Sequence, residues 1–408
     1  MGVTFEEAIR TDDPNSQHLI GVKDWRTLCR CRFQLESNWS GRGPITSHML
    51  CDRADVHRIK ADERVGIVIT SYGLGGIMVW DLDSGHALWG LPPTYVRTYA
   101  HCEYDSGFLI FDRYGQGKEV WRLASEFDAS PLPCDERQQA ICDAVARSLQ
   151  GSSRGHFKPW GLLTTPELGR AFRFVYPTLI VAGYDKAYLY DIPSGQLVQV
   201  VENIQAVKDG NLLGEINYVE ISPLHALICG TEQLRFFERG SGALVYKIAP
   251  TAEAIVSKRL AIDGNPGKAT GKLQLVQLTT HEARPQVTID DTEFVAVHAS
   301  PDGKTVVALL SDCRLLVIKD IVEVIKGKRT LDESSMEILL QCNHHLPGLN
   351  PILSPAAVYL AFEHGHVGVV TVRIYLAIYT IKDSITYGAA TRPRVSSYLL
   401  STQLGMVL

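Results

Sequence analysis

No apolar run in the sequence approaches the ~20 residues that a membrane-spanning helix needs. The longest, such as Val306–Leu310 and Val367–Val372, have the length of a strand. Charge of one sign is lacking too. Forty basic against 45 acidic side chains leave a net charge of −5, which gives no bulk attraction to nucleic acid or to an anionic membrane. Paired cysteines are absent: the nine thiols are odd in number, scattered, and never spaced Cys-x-x-Cys. That pattern excludes a disulfide framework and fits reduced thiols. Cys29-x-Cys31 is tighter than the roughly two to four intervening residues of zinc pairs. Met1–Arg10 is polar and acidic, without the apolar stretch of a secretion signal, so a cytoplasmic or nuclear location is expected.

The common signatures of catalysis are missing as well. The chain has no phosphate-binding Walker loop, no Gly-x-Ser-x-Gly elbow and no His-Glu-x-x-His. Gly73-Leu-Gly75-Gly76 follows a strand but precedes another strand, whereas a dinucleotide fingerprint needs a helix N-terminus there. His344-His345 and His364-Gly-His366 bring no acid or thiol at ligand spacing. The sequence therefore assigns no catalytic, cofactor-binding or metal residue, and the expectation is a non-enzyme without cofactor.

Apolar residues make up 45% of the chain and charged residues 21%, an ordinary globular balance. Their order is not ordinary. An alternating apolar strand, a small polar turn, and a second strand ending in an aromatic recur, followed by an acid and a Ser-Gly turn. The clearest copy runs from Val65 to Trp80-Asp81-Leu-Asp-Ser84-Gly85. Others end in Tyr190-Asp191-Ile-Pro-Ser194-Gly195 and Phe237-Glu238-Arg-Gly-Ser241-Gly242, and a shorter one leads through Gly107–Phe111 to Trp121. Ser222-Pro223, Ser300-Pro301 and Ser354-Pro355 each separate two apolar runs, as turn chemistry predicts. The reading is a series of short hairpins, not βαβ units. The intervals Trp80 to Trp121 and Tyr190 to Phe237 match the ~40–50-residue period of four-stranded propeller blades. Residues 45–408 then hold about seven such blades, one of them at 250–280.

On these residues the chain resembles the WD-repeat family. Trp80-Asp81 with Ser84-Gly85 matches the strand-end motif of that family, and Tyr190-Asp191 and Phe237-Glu238 depart from it conservatively. The upstream Gly-His pairs are mostly missing, Gly155-His156 being the one well placed. The resemblance implies an all-β, degenerate WD-repeat-like propeller whose buried hydrogen-bond network is incomplete in several blades. Asp135 and Gln138 resemble a capping box, and Ile141, Cys142, Val145 and Leu149 share one helical face. The spacing predicts a helical insertion near 135–150, within about 128–165, between two blades.

Residues 1–44 form a separate N-terminal segment. Val22, Trp25, Leu28, Cys29 and Phe33 fall on one helical face, with Asp24 placed to cap the first turn. Trp25, Cys29, Arg32, Leu35, Glu36, Asn38, Trp39 and Arg42 resemble the junction of F-box proteins that carry WD-repeat propellers, although Gly41 comes one residue early. This resemblance implies the substrate-recognition subunit of a Skp–cullin–F-box ubiquitin ligase, with the propeller gripping a target protein. The leading F-box helices are not found before residue 22, so binding of the Skp adaptor is expected only where they are supplied. The alternatives are a propeller scaffold with no ubiquitin role and, more remotely, a propeller hydrolase or lyase. Neither nucleic acid nor membrane is an expected partner. A phosphorylated target would need a ring of arginines, for which Arg53, Arg58, Arg235 and Arg314 are the candidates.

Overall fold

The repeated sequence unit folds as an antiparallel four-stranded meander. The computed structural model describes residues 4–5, 22–39, 55–114, 117–128, 133–148, 153–206, 212–251, 253–263, 274–277, 292–340, 357–363, 365–371, 375–380 and 399–400. Helix α1 (Trp25–Trp39) precedes the first sheet, β1 (Val56–Asp62), β2 (Ile67–Tyr72), β3 (Ile77–Asp81) and β4 (Ala87–Leu91). The second holds β5 (Cys102–Asp105), β6 (Phe108–Asp112), β7 (Lys118–Leu123) and, after helix α2 (Glu136–Ser148), β8 (Phe157–Leu163). The third is β9 (Ala171–Val175), β10 (Thr178–Ala182), β11 (Ala187–Asp191) and β12 (Gln196–Val201). The fourth is β13 (Ile216–Ile221), β14 (His225–Gly230), β15 (Leu234–Glu238) and β16 (Leu244–Ile248).

Beyond these lie β17 (Arg259–Asp263), β18 (Gln274–Gln277), β19 (Phe294–Ala299), β20 (Val306–Leu310) and β21 (Arg314–Ile318). Two short helices follow, α3 (Ile321–Ile325) and α4 (Leu331–Ser334), then β22 (Ser335–Leu339). The last sheet is β23 (Ala357–Glu363), β24 (His366–Thr371), β25 (Tyr375–Thr380) and β26 (Leu399–Leu400). The described residues are thus all-β with few helices, built mainly of antiparallel four-stranded meanders of the kind that make propeller blades.

The blade count differs from expectation. Among the described residues there are five four-stranded sheets, not seven, together with one six-stranded sheet. That sheet contains the meander β19–β22, and β17 pairs in parallel with β22 while β18 pairs with β17. The stretch expected as a blade at 250–280 therefore contributes two described strands that extend a neighbouring edge. Two strands alone cannot bury a core, so pairing with an open edge is their stable outcome. The chain divides into two compact units: Met1–Gly169 with Phe174–Leu179 and Leu189–Val198, and Arg170–Arg173 with Ile180–Tyr188 and Gln199–Leu408. The division passes through the third sheet.

The second strand of each well-described meander is covered on both faces, so β2, β6, β10, β14 and β20 are buried along their whole length. In the first unit Ile67, Ile69, Val79, Trp89, Trp121 and Phe157 share one core. In the second, Leu227, Phe236, Phe294, Ala308 and Leu316 do the same. Each large apolar side chain so buried contributes up to about 1.5–3 kcal/mol.

The recurring acid and Ser-Gly close the third-to-fourth strand hairpins. The Asp81 carboxylate accepts from Ser84 N at 2.7 Å and from Ser84 Oγ at 2.8 Å. Asp191 accepts from Ser194 N at 3.0 Å and from its hydroxyl, and Glu238 from Ser241 Oγ at 2.7 Å. The glycine that follows each serine sits at positive φ, 70°, 67° and 71° for Gly85, Gly195 and Gly242, which a side chain would disfavour. The motif is a local device for turning the chain. At the other turns, His225 N donates to Ser222 Oγ at 3.0 Å and Thr305 N to Ser300 Oγ at 2.9 Å. Ser354-Pro355 lies outside the described residues.

Both expected helices form. In α1, Thr27 N donates to Asp24 Oδ1 at 2.9 Å, the predicted cap. Of the residues that share one face of this helix, Leu28 is buried, whereas Trp25 and Phe33 are 47% and 73% exposed. In α2 the capping box is reciprocal: Gln138 N donates to Asp135 Oδ1 at 2.8 Å and Asp135 N to Gln138 Oε1 at 3.2 Å. Ile141, Cys142 and Val145 pack on the first-unit core, and Leu149 lies outside the described residues. The helix falls between β7 and β8, inside one sheet, not between two blades. Gly155-His156 leads into β8 of that same sheet.

Candidate protein-interaction site

The residues singled out in the sequence separate into three groups. Trp25, Cys29 and Arg32 are exposed on α1, and Trp25 makes an edge contact with Phe5 at 5.6 Å. Leu35, Glu36, Asn38 and Trp39 belong to the last turns of the same helix. Arg42 lies outside the described residues, as do Arg53, His344, His345 and His364.

The strand-end aromatics hold sheets together. Trp80 Nε1 donates to Thr70 Oγ1 at 2.9 Å, and Thr70 Oγ1 donates on to Tyr72 Oη at 2.8 Å. This is a short tryptophan–hydroxyl relay across β3 and β2. Trp121 Nε1 instead donates to Glu119 at 3.0 Å, Tyr190 Oη reaches Thr164 O at 3.5 Å, and Phe237 is buried with no polar atom to place. Each sheet solves the problem differently, as the irregular sequence copies imply.

The first strands of successive sheets are laced by ions. In the first unit Lys60 on β1 donates to Glu103 on β5 at 2.9 Å, and His101 lies 2.7 Å from the same carboxylate. In the second unit Glu220 on β13 faces Arg173 at 3.3 Å and His298 Nδ1 at 2.7 Å, while His298 Nε2 reaches Leu360 O on β23 at 3.0 Å. Burial pushes the Glu220 carboxyl up, but Arg173 and His298 outweigh it and hold the group below the usual carboxylate range. Burial lowers His101 from its ordinary value, against the pull of Glu103.

Two of the four arginines considered for a phosphate ring are interior. Arg235 donates to Ile204 O at 2.7 Å and Ala206 O at 3.0 Å. Arg314 is held by Asp312, Glu337 and the carbonyls of Thr251 and Glu253. Arg58 is half-buried and donates to His57 O at 3.1 Å. These three do not form a solvent-facing ring. Among the described residues no group of three or more His, Cys, Asp or Glu is placed to hold a metal ion, and no helix is long and apolar enough to cross a membrane.

What the first unit does present is a set of apolar side chains on pinned loops. The β2–β3 turn, Gly73-Leu74-Gly75-Gly76, lies against the segment 92–100 that links β4 to β5. Gly76 N donates to Val96 O at 3.2 Å and Tyr99 N to Gly73 O at 3.3 Å. A Cβ on Gly75, at φ +90°, would sit 2.5 Å from Val96 O. The close approach therefore requires glycine, and it thrusts Leu74 out to 77% exposure. Tyr99 is 61% exposed beside it, with an edge contact to His57 at 5.5 Å. Arg97 of the same segment reaches Asp112 at the end of β6 at 2.5 Å. The β6–β7 connection that starts there carries Tyr114, 49% exposed.

Beneath these loops is a buried carboxylate, Glu119, 1% exposed. It accepts from Tyr95 Oη at 2.8 and 2.9 Å, from Trp121 Nε1 at 3.0 Å and from Gln138 Nε2 at 3.0 Å. Arg113 lies 3.8 Å away and is ion-paired with Asp135. The Tyr95 hydroxyl is pushed well up, first by burial and then by Glu119. One acid thus joins β7, the 92–100 segment and the start of α2. The next residue along α2 from its capped start, Arg137, donates to Tyr95 O at 3.0 Å and stacks 4.6 Å over the Tyr95 ring, with the Tyr114 ring at 5.8 Å. Sequence reasoning missed Leu74, Tyr99, Tyr114 and Arg137. The available signal was a leucine isolated among three glycines.

No protein-family model matches the chain, and no curated protein does. Among solved structures it is similar to KlHsv2 with loop 6CD replaced by a Gly-Ser linker, at 9% identity and a TM-score of 0.45, covering 86% of each chain. It is similar to the β-propeller domain of Myceliophteria thermophila Cps50 (Swd1) at 10% identity and a TM-score of 0.46, over 83% of this chain and 86% of that one. A computationally designed protein, Ika8, is similar at 14% identity and a TM-score of 0.42, over 83% and 86%.

Proposed function

We propose that the protein is a non-enzymatic, propeller-type interaction protein that binds another protein through the loop ends of its first two sheets. The observation that carries this reading is the trio Leu74, Tyr99 and Tyr114, large and exposed on loops held by backbone hydrogen bonds and a glycine-tight contact. Large apolar side chains displayed on rigid loops gain nothing inside the free protein and are what an interface uses as anchors. The non-enzymatic part is supported by the interior acids and histidines. Glu103, Glu119, Glu220, Glu337, His101 and His298 each have partners within the protein. The test is affinity enrichment with the wild type against a Leu74→Ser, Tyr99→Ser double variant. The reading requires partners that the wild type retains and the variant loses at unchanged folding. Equal retention by both refutes it.

The finer reading is a substrate receptor of the Skp–cullin–F-box type. It is supported by the residue pattern Trp25, Cys29, Arg32 and Asn38-Trp39 on a helix that forms over Trp25–Trp39. Its test is a pulldown with the Skp adaptor, using this chain and one carrying F-box helices upstream. Binding by the extended chain alone supports it, and binding by neither overturns it.

A further inference from the structure

We propose that Arg137 anchors a carboxylate side chain, Asp or Glu, from an acidic segment of the protein partner; this rests on the interaction-face reading above. The guanidinium is already oriented. It stacks 4.6 Å over Tyr95 and 5.8 Å from Tyr114, and one of its nitrogens is used by Tyr95 O at 3.0 Å. Tyr95 is itself fixed by Glu119. Most of the cost of immobilising a long cationic side chain is therefore met before any partner arrives.

The charges around it are otherwise matched. Asp112 pairs with Arg97 and Lys118, and Arg113 lies between Asp135 and Glu119, three acids for three cations. Arg137 has no carboxylate within ion-pair distance among the described residues. It is half-buried beside Tyr114, so an incoming anion is partly shielded from water and a bond to it is stronger than at an open surface. The planar fork of a guanidinium matches a carboxylate in two parallel bonds. A single surplus cation also suits a singly charged group. A phosphomonoester, at about −1.5 to −2, calls for a second one, and the other cations of this face already hold acids. The Tyr95 and Tyr114 rings supply the apolar contacts beside the ion pair.

The test is an array of immobilised twelve-residue peptides in matched sets, in which each Asp- or Glu-bearing member has an Asn or Gln twin and a phosphoserine twin. The probes are the full chain, Arg137→Gln, Arg137→Lys and Tyr114→Leu, each with its thermal melt recorded. A charge-assisted bond predicts that the wild type favours acidic members over their amide twins by about tenfold to a hundredfold. Arg137→Gln should abolish that preference and keep the weaker binding to the amide twins. Arg137→Lys should retain part of it, and Tyr114→Leu should reduce it several-fold with the charge intact. The assignment is overturned if the wild type shows no preference or binds no member, if Arg137→Gln discriminates as the wild type does, or if phosphoserine twins are preferred. The interaction face fails separately, when the Leu74 and Tyr99 variant keeps its partners.

Discussion

Replacing Glu119 tests whether α2 is built into the second sheet or merely rests on it. The carboxylate is 1% exposed and accepts from Tyr95, Trp121 and Gln138. In Glu119→Ala three interior donors lose their acceptor at once. An orphaned buried donor costs about 1–3 kcal/mol, and water entering the truncated site recovers part of it. We expect a net loss of about 3–5 kcal/mol, the range seen when one partner of a buried ion pair is removed. Glu119→Gln keeps the volume and one carbonyl oxygen but sets an NH₂ group against donors, for about 1–3 kcal/mol. At roughly 2–4 °C per kcal/mol for a body of this size, the alanine variant should melt about 10 °C lower. Amide hydrogen exchange supplies the specific readout. Residues 136–148 should exchange faster in the variant before the rest of the first unit opens, because Gln138 ties the helix start to that acid. A melt within about 2 °C of wild type, with helix exchange unchanged, would refute the reasoning.

Acid should destabilise the protein in two stages. Burial holds His101 below its ordinary 6.5, so the unfolded chain takes up a proton there first and stability declines as pH falls below that value. Glu220 and Asp112 sit below their ordinary 4.5 and 3.8. Their contribution is complete above those values and is lost as pH falls through the lowered ones. Urea midpoints from pH 7 to 3 check this: Glu220→Gln should flatten the lower limb, and a flat wild-type profile contradicts it. Gly195→Ala, at φ 67°, should cost about 1–2 kcal/mol, while Gly195→Asn costs less; equal melts for the two would remove the turn argument. Arg314→Met should be destabilising by about 3–5 kcal/mol because it leaves the Glu337 carboxylate, 0% exposed, without its 2.8 Å partner. A denaturant midpoint near that of the wild type would show that the pair is dispensable.

The repeat was legible because its causes are local. The acid, the serine three residues on and the glycine after it make one turn, wherever the chain carries them. The count of sheets was not, because β17 joins β22 in parallel across a long stretch of chain and nothing in Arg259–Asp263 marks that partner. Helix α2 showed its capping box and its apolar face. Its position inside a sheet did not show, because β8 contains Pro159 and Gly161, residues that read as a turn and are tolerated here at a sheet edge. Arg235 and Arg314 were candidates for a phosphate-binding ring, and nothing in the sequence marked Glu119 as interior; all three are buried. Tertiary packing encloses them, and partners distant in sequence make that possible. The exposed trio of the candidate site was hidden for the opposite reason: isolated Leu and Tyr residues in a sequence look like core until a fold leaves them outside.

The most direct test of the interaction face is hydrogen–deuterium exchange of the protein alone and with a partner recovered by affinity enrichment. Protection should be concentrated at residues 73–76, 92–99 and 113–114, with the turns at 82–86 and 193–195 unchanged. Protection confined to those turns, or to the edge strands β12 and β16, would contradict it.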